Sequence, residues 1–546
     1  MRNLPLVLLV LIAFPQRQAA SFTAESFPAA LFTADPAPAD PFAIVRTHSG
    51  MVSGTINTGG DIHIFKGIPF AAPPTGDLRW KAPQPVAPWT GVRKCESFGP
   101  SPMQDKPTPN WAYTAEFLIP EKPISEDCLY LNIWTGAKTP RDRRPVIVYI
   151  YGGGFINGGS AIPIYNGEAM ARKGVVFISI NYRVGIFGFF CHPWLTAESG
   201  HEASGNYGLL DQIAALRWVQ ENVTAFGGDP SNVTIAGESA GSISVNCLVA
   251  SPLAKGLFHR AIGESGAAVG RGFTSPATLK EVEQTGRETT TQLKVADLKT
   301  LRALSADELQ AANFQRGPVI DGYVLPAPID QLFREHEYNP CDLLTGWNED
   351  DYFLYGGPQT AAQFRQQLQQ LYGPAADSVL HFYPAPDDAT ALTSQERLNR
   401  DLLFGVQNYP WANLQSADTS HRVFLYRFRR RLPATGEFVK YGAFHGGEIV
   451  YAYDNLATLA RPWEAVDHQL AETVSTYWVN FARTGDPNGA SVSKSNPNGW
   501  PVSKSLPRWP RYTLPVGATM ILDEQPHAGP MPDRAELDLL LRKANP

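Results

Sequence analysis

Val233-Thr234-Ile235-Ala236-Gly237-Glu238-Ser239-Ala240-Gly241 is the stretch on which the reading of this chain turns. Val233 to Ala236 is a short apolar run rich in β-branched residues, the pattern of a strand buried on both faces. Gly237 to Gly241 fits G-x-S-x-G, and Ser242 to Leu248 continues as a predicted helix. Strand, tight turn and helix in succession predict a nucleophile elbow. Such a turn forces its central residue into a strained backbone conformation and lifts the Ser239 side chain above the sheet. The flanking glycines remove the Cβ atoms that would collide. The helix then aims its first N–H groups and the positive end of its dipole at the same place, which suits an oxyanion. The competing reading is a glycine-containing turn that holds a serine by chance. It weakens if partners for the serine lie elsewhere in the chain.

Working outward, Tyr130 to Trp134, Pro145 to Tyr151 and Gly174 to Asn181 read as strands, and Asp211 to Asn222 as an amphipathic helix. Strands alternating with helices predict an α/β chain with a large, mostly parallel sheet. Short strands with glycine turns between Ile44 and Gly67 predict a small N-terminal antiparallel sheet. Prolines at 69, 73, 74, 83, 85 and 88 keep the segment beyond it from forming regular structure for long. Residues 275–315 are rich in helix formers, Val423 to Phe428 is a late strand, and Gln469 to Arg483 reads as a helix. No internal repeat or linker interrupts 42–546, which reads as one large domain with helical insertions.

The chain has 546 residues, 43% hydrophobic and 18% charged, enough to bury a large core. Its net charge of −6 comes without a basic block or an acidic tail, which argues against a nucleic-acid partner. Of the five cysteines at least one must be unpaired, and the absence of C-x-x-C gives a thiol zinc site no support. No metal or cofactor is expected. Arg2 followed by the apolar run Leu4 to Phe14, too short to span a bilayer, reads as a signal peptide over residues 1–20. The Ala/Pro-rich segment 21–41 reads as a linker or arm. The expected location is secreted or periplasmic, with no stable membrane insertion once the signal is removed.

A serine nucleophile needs a base, an orienting acid and an oxyanion hole. Tyr151-Gly152-Gly153-Gly154-Phe155 directly follows a strand, and its glycines leave backbone N–H groups free to face a cavity. The N–H groups of this three-glycine run, with that of Ala240 after the serine, are the candidate oxyanion donors. His445, in Phe444-His445-Gly446-Gly447-Glu448, leads His421 and His336 as candidate base by a small margin. The acid lies within Asn348-Glu349-Asp350-Asp351, between serine and histidine, the chain order of α/β-hydrolases. Three adjacent carboxylates leave the choice open. Glu238 reads as tuning the field beside the nucleophile or holding a water, and Ser265 as either a turn residue or a support for the histidine side.

These residues resemble the type B carboxylesterase family, the carboxylesterase/cholinesterase group of α/β-hydrolases, over about residues 44–540. Phe226-Gly227-Gly228 with Gly237-Glu238-Ser239-Ala240-Gly241 is similar to the family's nucleophile signature. Glu126-Asp127-Cys128-Leu129-Tyr130-Leu131-Asn132-Ile133 is similar to its second signature. The resemblance implies an α/β-hydrolase fold and a triad of Ser239, Asp351 and His445. It implies oxyanion donors Gly153, Gly154 and Ala240, and a disulfide between Cys95 and Cys128. Asp351 stands where the family usually has a glutamate, so a carboxylate one methylene shorter must approach His445 more closely, or Glu349 takes its place. Tyr151 stands where many members have histidine, with little effect expected. The choline-site tryptophan has no match, Trp111 lying at a different spacing.

The resemblance implies a serine hydrolase that cleaves small-molecule carboxylic esters through an acyl-enzyme. An amidase or a lipase could run on the same triad. A catalytically silent cholinesterase-like binding module ranks lower, because every part of the machinery has a candidate.

Overall fold

Among the described residues, eleven strands form one sheet: β1 (Thr55–Ile56), β2 (His63–Pro69), β3 (Tyr130–Thr135), β4 (Arg144–Ile150), β5 (Val176–Ile180), β6 (Gly228–Glu238), β7 (Arg260–Glu264), β8 (Asp342–Asn348), β9 (Val423–Phe428), β10 (Ala518–Leu522) and β11 (His527–Pro530). The computed structural model describes residues 40–109, 111–270, 275–354, 356–489 and 506–544. The predicted signal segment and almost all of the Ala/Pro-rich arm lie outside them.

The spatial order is β11-β10-β9-β8-β7-β6-β4-β5-β3-β2-β1. The block from β10 to β5 is parallel throughout, and the strands at both edges are antiparallel. Most residues of the parallel block are buried on both faces, as in β5, where all five are buried, which is why these strands read as largely apolar runs. From β4 the chain moves one way to β5, then crosses back to β6 and proceeds outward through β7, β8, β9 and β10. The order therefore reverses between β4 and β6, the switch point at whose carboxyl ends open α/β sheets place their sites. Helices flank the sheet, among them α1 (Tyr207–Asn222), α2 (Ala240–Ala250), α3 (Val406–Ser416) and α4 (Ala465–Thr484). No helix among the described residues is long and apolar enough to cross a membrane.

Two expectations change. The small N-terminal sheet is mixed: Val45–Arg46 pairs antiparallel with Met51–Ser53, which pairs parallel with Val92–Lys94. The third strand arrives through the long proline-rich excursion, which frees it from hairpin geometry. The strand at 63–69 joins the main sheet instead.

The Cys95–Cys128 disulfide is not formed, and both are buried free thiols. Cys95 is fixed beside Lys66, whose N–H donates to the Cys95 carbonyl at 2.8 Å. Cys128 lies beyond the far end of β2, where Phe70 N–H donates to Leu129 O at 3.2 Å. Four strand residues at about 3.3 Å each put the two on the order of 10 Å apart, even allowing for a bulge, too far for a bridge. Pro102 and Met103 are among the residues that share a cavity wall with Cys128. Burial pushes the Cys95 thiol up to about 11 and the Cys128 thiol well above its ordinary value.

Candidate active site

The elbow takes the predicted form. Ser239, between β6 and α2, adopts φ 56° and ψ −124°, a strained conformation for a residue with a side chain. A Cβ on Gly237 would lie 2.6 Å from the Gly241 carbonyl carbon, and one on Gly241 would overlap the Ile150 carbonyl oxygen. Only glycines fit where β6, β4 and α2 converge. Ser239 N–H donates to Glu264 O at 2.9 Å, tying the turn to the end of β7. Every residue of α2 is buried, so the helix that aims at the serine cannot shift.

The glycine loop leaves the end of β4 beside it. Gly153 and Gly154 have φ of 109° and 62°. Among the described residues, neither N–H is taken up by a protein acceptor. Ala240 is the first residue of α2, so its N–H has no acceptor within the helix. The loop's root is fixed by a crossed pair: Tyr151 Oη donates to Tyr182 O at 2.7 Å, and Tyr182 Oη to Tyr151 O at 3.0 Å. Their rings stack at 4.4 Å. Tyr151 thus holds the loop to the chain after β5, a role that its replacement of a histidine did not suggest.

The three carboxylates after β8 separate cleanly. Asp351 Oδ1 lies 2.7 Å from His445 Nδ1, and its Oδ2 accepts from Ser265 Oγ at 2.7 Å and Asn348 N at 3.0 Å. Asp350 turns toward the loop that carries His445. Glu349 faces away, pairing with Arg400 at 2.9 Å, Arg429 at 3.0 Å and Arg427 at 3.3 Å. Against the upward push of burial, those arginines hold the Glu349 carboxyl below the usual range. The geometry brings Asp351, not Glu349, to the histidine, and Ser265 supports the acid rather than the imidazole.

His445 is 4% exposed. Its ring stacks on Phe404 at 4.5 Å and meets the edge of Phe353 at 5.2 Å, and its carbonyl accepts from Tyr113 Oη at 3.2 Å. Phe404 sits in a π-helical turn, Asp401–Gly405, a distortion frequent at functional sites. The residues Asp401-Leu402-Leu403-Phe404 carry no sequence signal of this role. The rival histidines lie elsewhere: His421 precedes β9, at the amino edge of the sheet, and His336 shares its acidic neighbour Asp418.

Nε2 of His445 lies 3.2 Å from Glu238 Oε1. Among the described residues, Ser239 Oγ makes no hydrogen bond to His445. Glu238 joins two further buried carboxylates. Glu264 accepts from Trp478 Nε1 at 2.9 Å and Tyr453 Oη at 3.0 Å, and Glu448 is hydrogen-bonded by Asn348. Burial pushes Glu264 up to about 8. Burial, with the charges of its carboxylate neighbours, pushes Glu238 and Glu448 well above the ordinary range. Burial and mutual repulsion disfavour the charged forms of all three.

The family model for the carboxylesterase family matches residues 41–538. A fumonisin B1 esterase from Sphingopyxis macrogoltabida is 37% identical over 480 residues, covering 83% of this chain and 84% of that one. Para-nitrobenzyl esterase of Bacillus subtilis (strain 168) is 35% identical over 506 residues, covering 88% and 95%. Liver carboxylesterase of Sus scrofa is 34% identical over 537 residues, covering 87% and 88%. A solved PNB esterase superposes with a TM-score of 0.76 at 32% identity, covering 92% of this chain and 99% of that chain.

Proposed function

Because the chain belongs to the carboxylesterase family and is a carboxylic ester hydrolase, we propose that it works through an acyl-enzyme formed on Ser239. His445 takes the Ser239 proton as Oγ attacks the ester carbonyl, and the oxyanion forms against the N–H groups of Gly153, Gly154 and Ala240. Asp351 holds the imidazole with Nδ1 protonated, so that Nε2 is the basic atom. The imidazolium returns the proton to the departing alcohol, and water hydrolyses the acyl-enzyme by the same steps in reverse. The observation that carries the reading is the 2.7 Å contact of Asp351 with His445 Nδ1, beside a serine held on a strained elbow. The hydrogen bond between Ser239 and His445 forms as substrate binds, as catalytic contacts commonly tighten only in the complex.

The relatives are named for fumonisin B1, para-nitrobenzyl and medium-chain fatty acyl-CoA substrates. We therefore read the substrate class as small carboxylic esters of broad alcohol type. The apolar run behind Arg2 supports export, to a secreted or periplasmic location. The test is hydrolysis of p-nitrophenyl acetate, butyrate and palmitate, a p-nitroanilide and a medium-chain acyl-CoA by wild type and Ser239→Ala. Short esters are expected to be cleaved fastest, and only by wild type. Preference for palmitate would favour the lipase reading and preference for the anilide the amidase reading. A fully active Ser239→Ala would refute the mechanism.

A further inference from the structure

Asp350 is the one carboxylate of the acidic triplet that neither touches the imidazole nor joins the arginine cluster. Its backbone N–H donates to Ala443 O at 3.1 Å, and Asp350 and Phe444 pair as an isolated parallel bridge. Its side-chain Oδ2 then accepts the Ala443 N–H at 2.7 Å and Arg431 Nη1 at 3.1 Å. The acid loop after β8 and the loop carrying His445 are thus joined at two points next to the imidazole. Gly442 completes the arrangement. It sits at φ 61°, and a Cβ there would overlap Asp350 Oδ2. The space a side chain would fill is occupied by the carboxylate, so this glycine is required by the contact as well as by the turn.

Without this bond the Ala443 N–H would lose its acceptor two residues from His445. A donor left unmet beside a buried side chain drives the loop to rearrange. A shift on the order of 1 Å at a catalytic group costs about a hundredfold. Arg431 is 60% exposed, so its ion pair with Asp350 is worth little. What matters on this geometry is the acceptor oxygen rather than the charge.

We propose that Asp350 is a positioning residue: its carboxylate oxygen, seated over Gly442, holds the 442–445 loop so that His445 meets Asp351. The inference rests on the triad reading above and adds to it a residue that touches no substrate.

The test is steady-state hydrolysis of p-nitrophenyl butyrate by Asp350→Ala, Asp350→Asn and Arg431→Ala, with thermal melting to establish folding and Ser239→Ala and His445→Ala in parallel. Asp350→Ala is expected to lose at least fivefold in kcat with KM within twofold. Asp350→Asn, whose amide oxygen still accepts from Ala443, should stay within threefold of wild type, and Arg431→Ala within twofold. A smaller loss in folded Asp350→Ala, or a loss confined to KM, overturns the proposal. So does an Asn variant as impaired as the Ala variant. If Asp350→Ala does not fold, Gly442→Ala replaces it, since its methyl displaces the carboxylate, and a kcat within fivefold of wild type is equally fatal. Activity surviving in Ser239→Ala or His445→Ala would instead overturn the triad reading.

Discussion

Replacing Asp351 by asparagine changes one oxygen to an amide, and the surroundings dictate which one. Oδ2 receives two donors, Ser265 Oγ at 2.7 Å and the Asn348 N–H at 3.0 Å. A backbone N–H cannot accept, so the asparagine must place its carbonyl oxygen there. Its NH2 then occupies the Oδ1 position, 2.7 Å from His445 Nδ1. An amide NH2 only donates, so Nδ1 must become the acceptor and the ring proton moves to Nε2. Nε2 can then no longer take the Ser239 proton. The same wrong-tautomer substitution in serine-protease triads lowers kcat by about 10⁴. That corresponds to about 5.4 kcal/mol in the barrier at 1.36 kcal/mol per tenfold. The assay is kcat for p-nitrophenyl butyrate at pH 8, with melting curves to establish that the variant is folded. A folded Asp351→Asn within tenfold of wild type would refute both the assignment of the acid and the locked orientation.

Other consequences can be checked as directly. Ser265→Ala removes one donor to a carboxylate, a bond worth about 1.5–3 kcal/mol; because Asn348 N–H still holds Oδ2, kcat should fall by about tenfold, and an unchanged kcat would contradict the support role. Glu264, pushed up to about 8 from 4.5, binds its proton more tightly folded than unfolded. Stability should therefore fall as pH rises between those values, by up to about 1.4 kcal/mol per pH unit for this one group. His192, lowered by burial to about 4, acts in the opposite sense but only below its unfolded value of 6.5. Denaturant melts between pH 6.5 and 8 should accordingly show a shallower slope in Glu264→Gln than in wild type, and equal slopes would contradict the assignment. Titration with Ellman's reagent in guanidinium, without reductant, should find all five cysteines reactive; three would restore the disulfide.

The parts of the fold that are legible in the sequence are those whose cause is local. Val176–Ile180 is apolar but for Ser179 because both its faces are covered, and Gly237 and Gly241 flank a serine because the turn has room for nothing larger. The apolar pattern marks β6 only from Val233, although the strand begins at Gly228. Its first half carries Asp229, Pro230 and Ser231, which bulge out of register with β4 in a turn where the Ser231 N–H donates to Asp229 Oδ1 at 2.9 Å. What the sequence hides is decided by long-range contacts. Glu349, Asp350 and Asp351 are chemically alike, and residues 51 to 94 positions further along the chain distinguish them. Phe404 reaches His445 because a helix locally widens, which no residue in Asp401–Gly405 announces. Pairing Cys95 with Cys128 rests on analogy of position, and the chain path between Lys66 and Phe70 holds the two apart.

The central claim is that Ser239 carries the acyl group, and a fluorophosphonate inhibitor tests it in one measurement. Wild type should gain the mass of one adduct, with peptide mapping placing it on Ser239 and hydrolysis lost in proportion, while Ser239→Ala should gain none. An adduct on another residue, or an inhibited Ser239→Ala, would contradict the account.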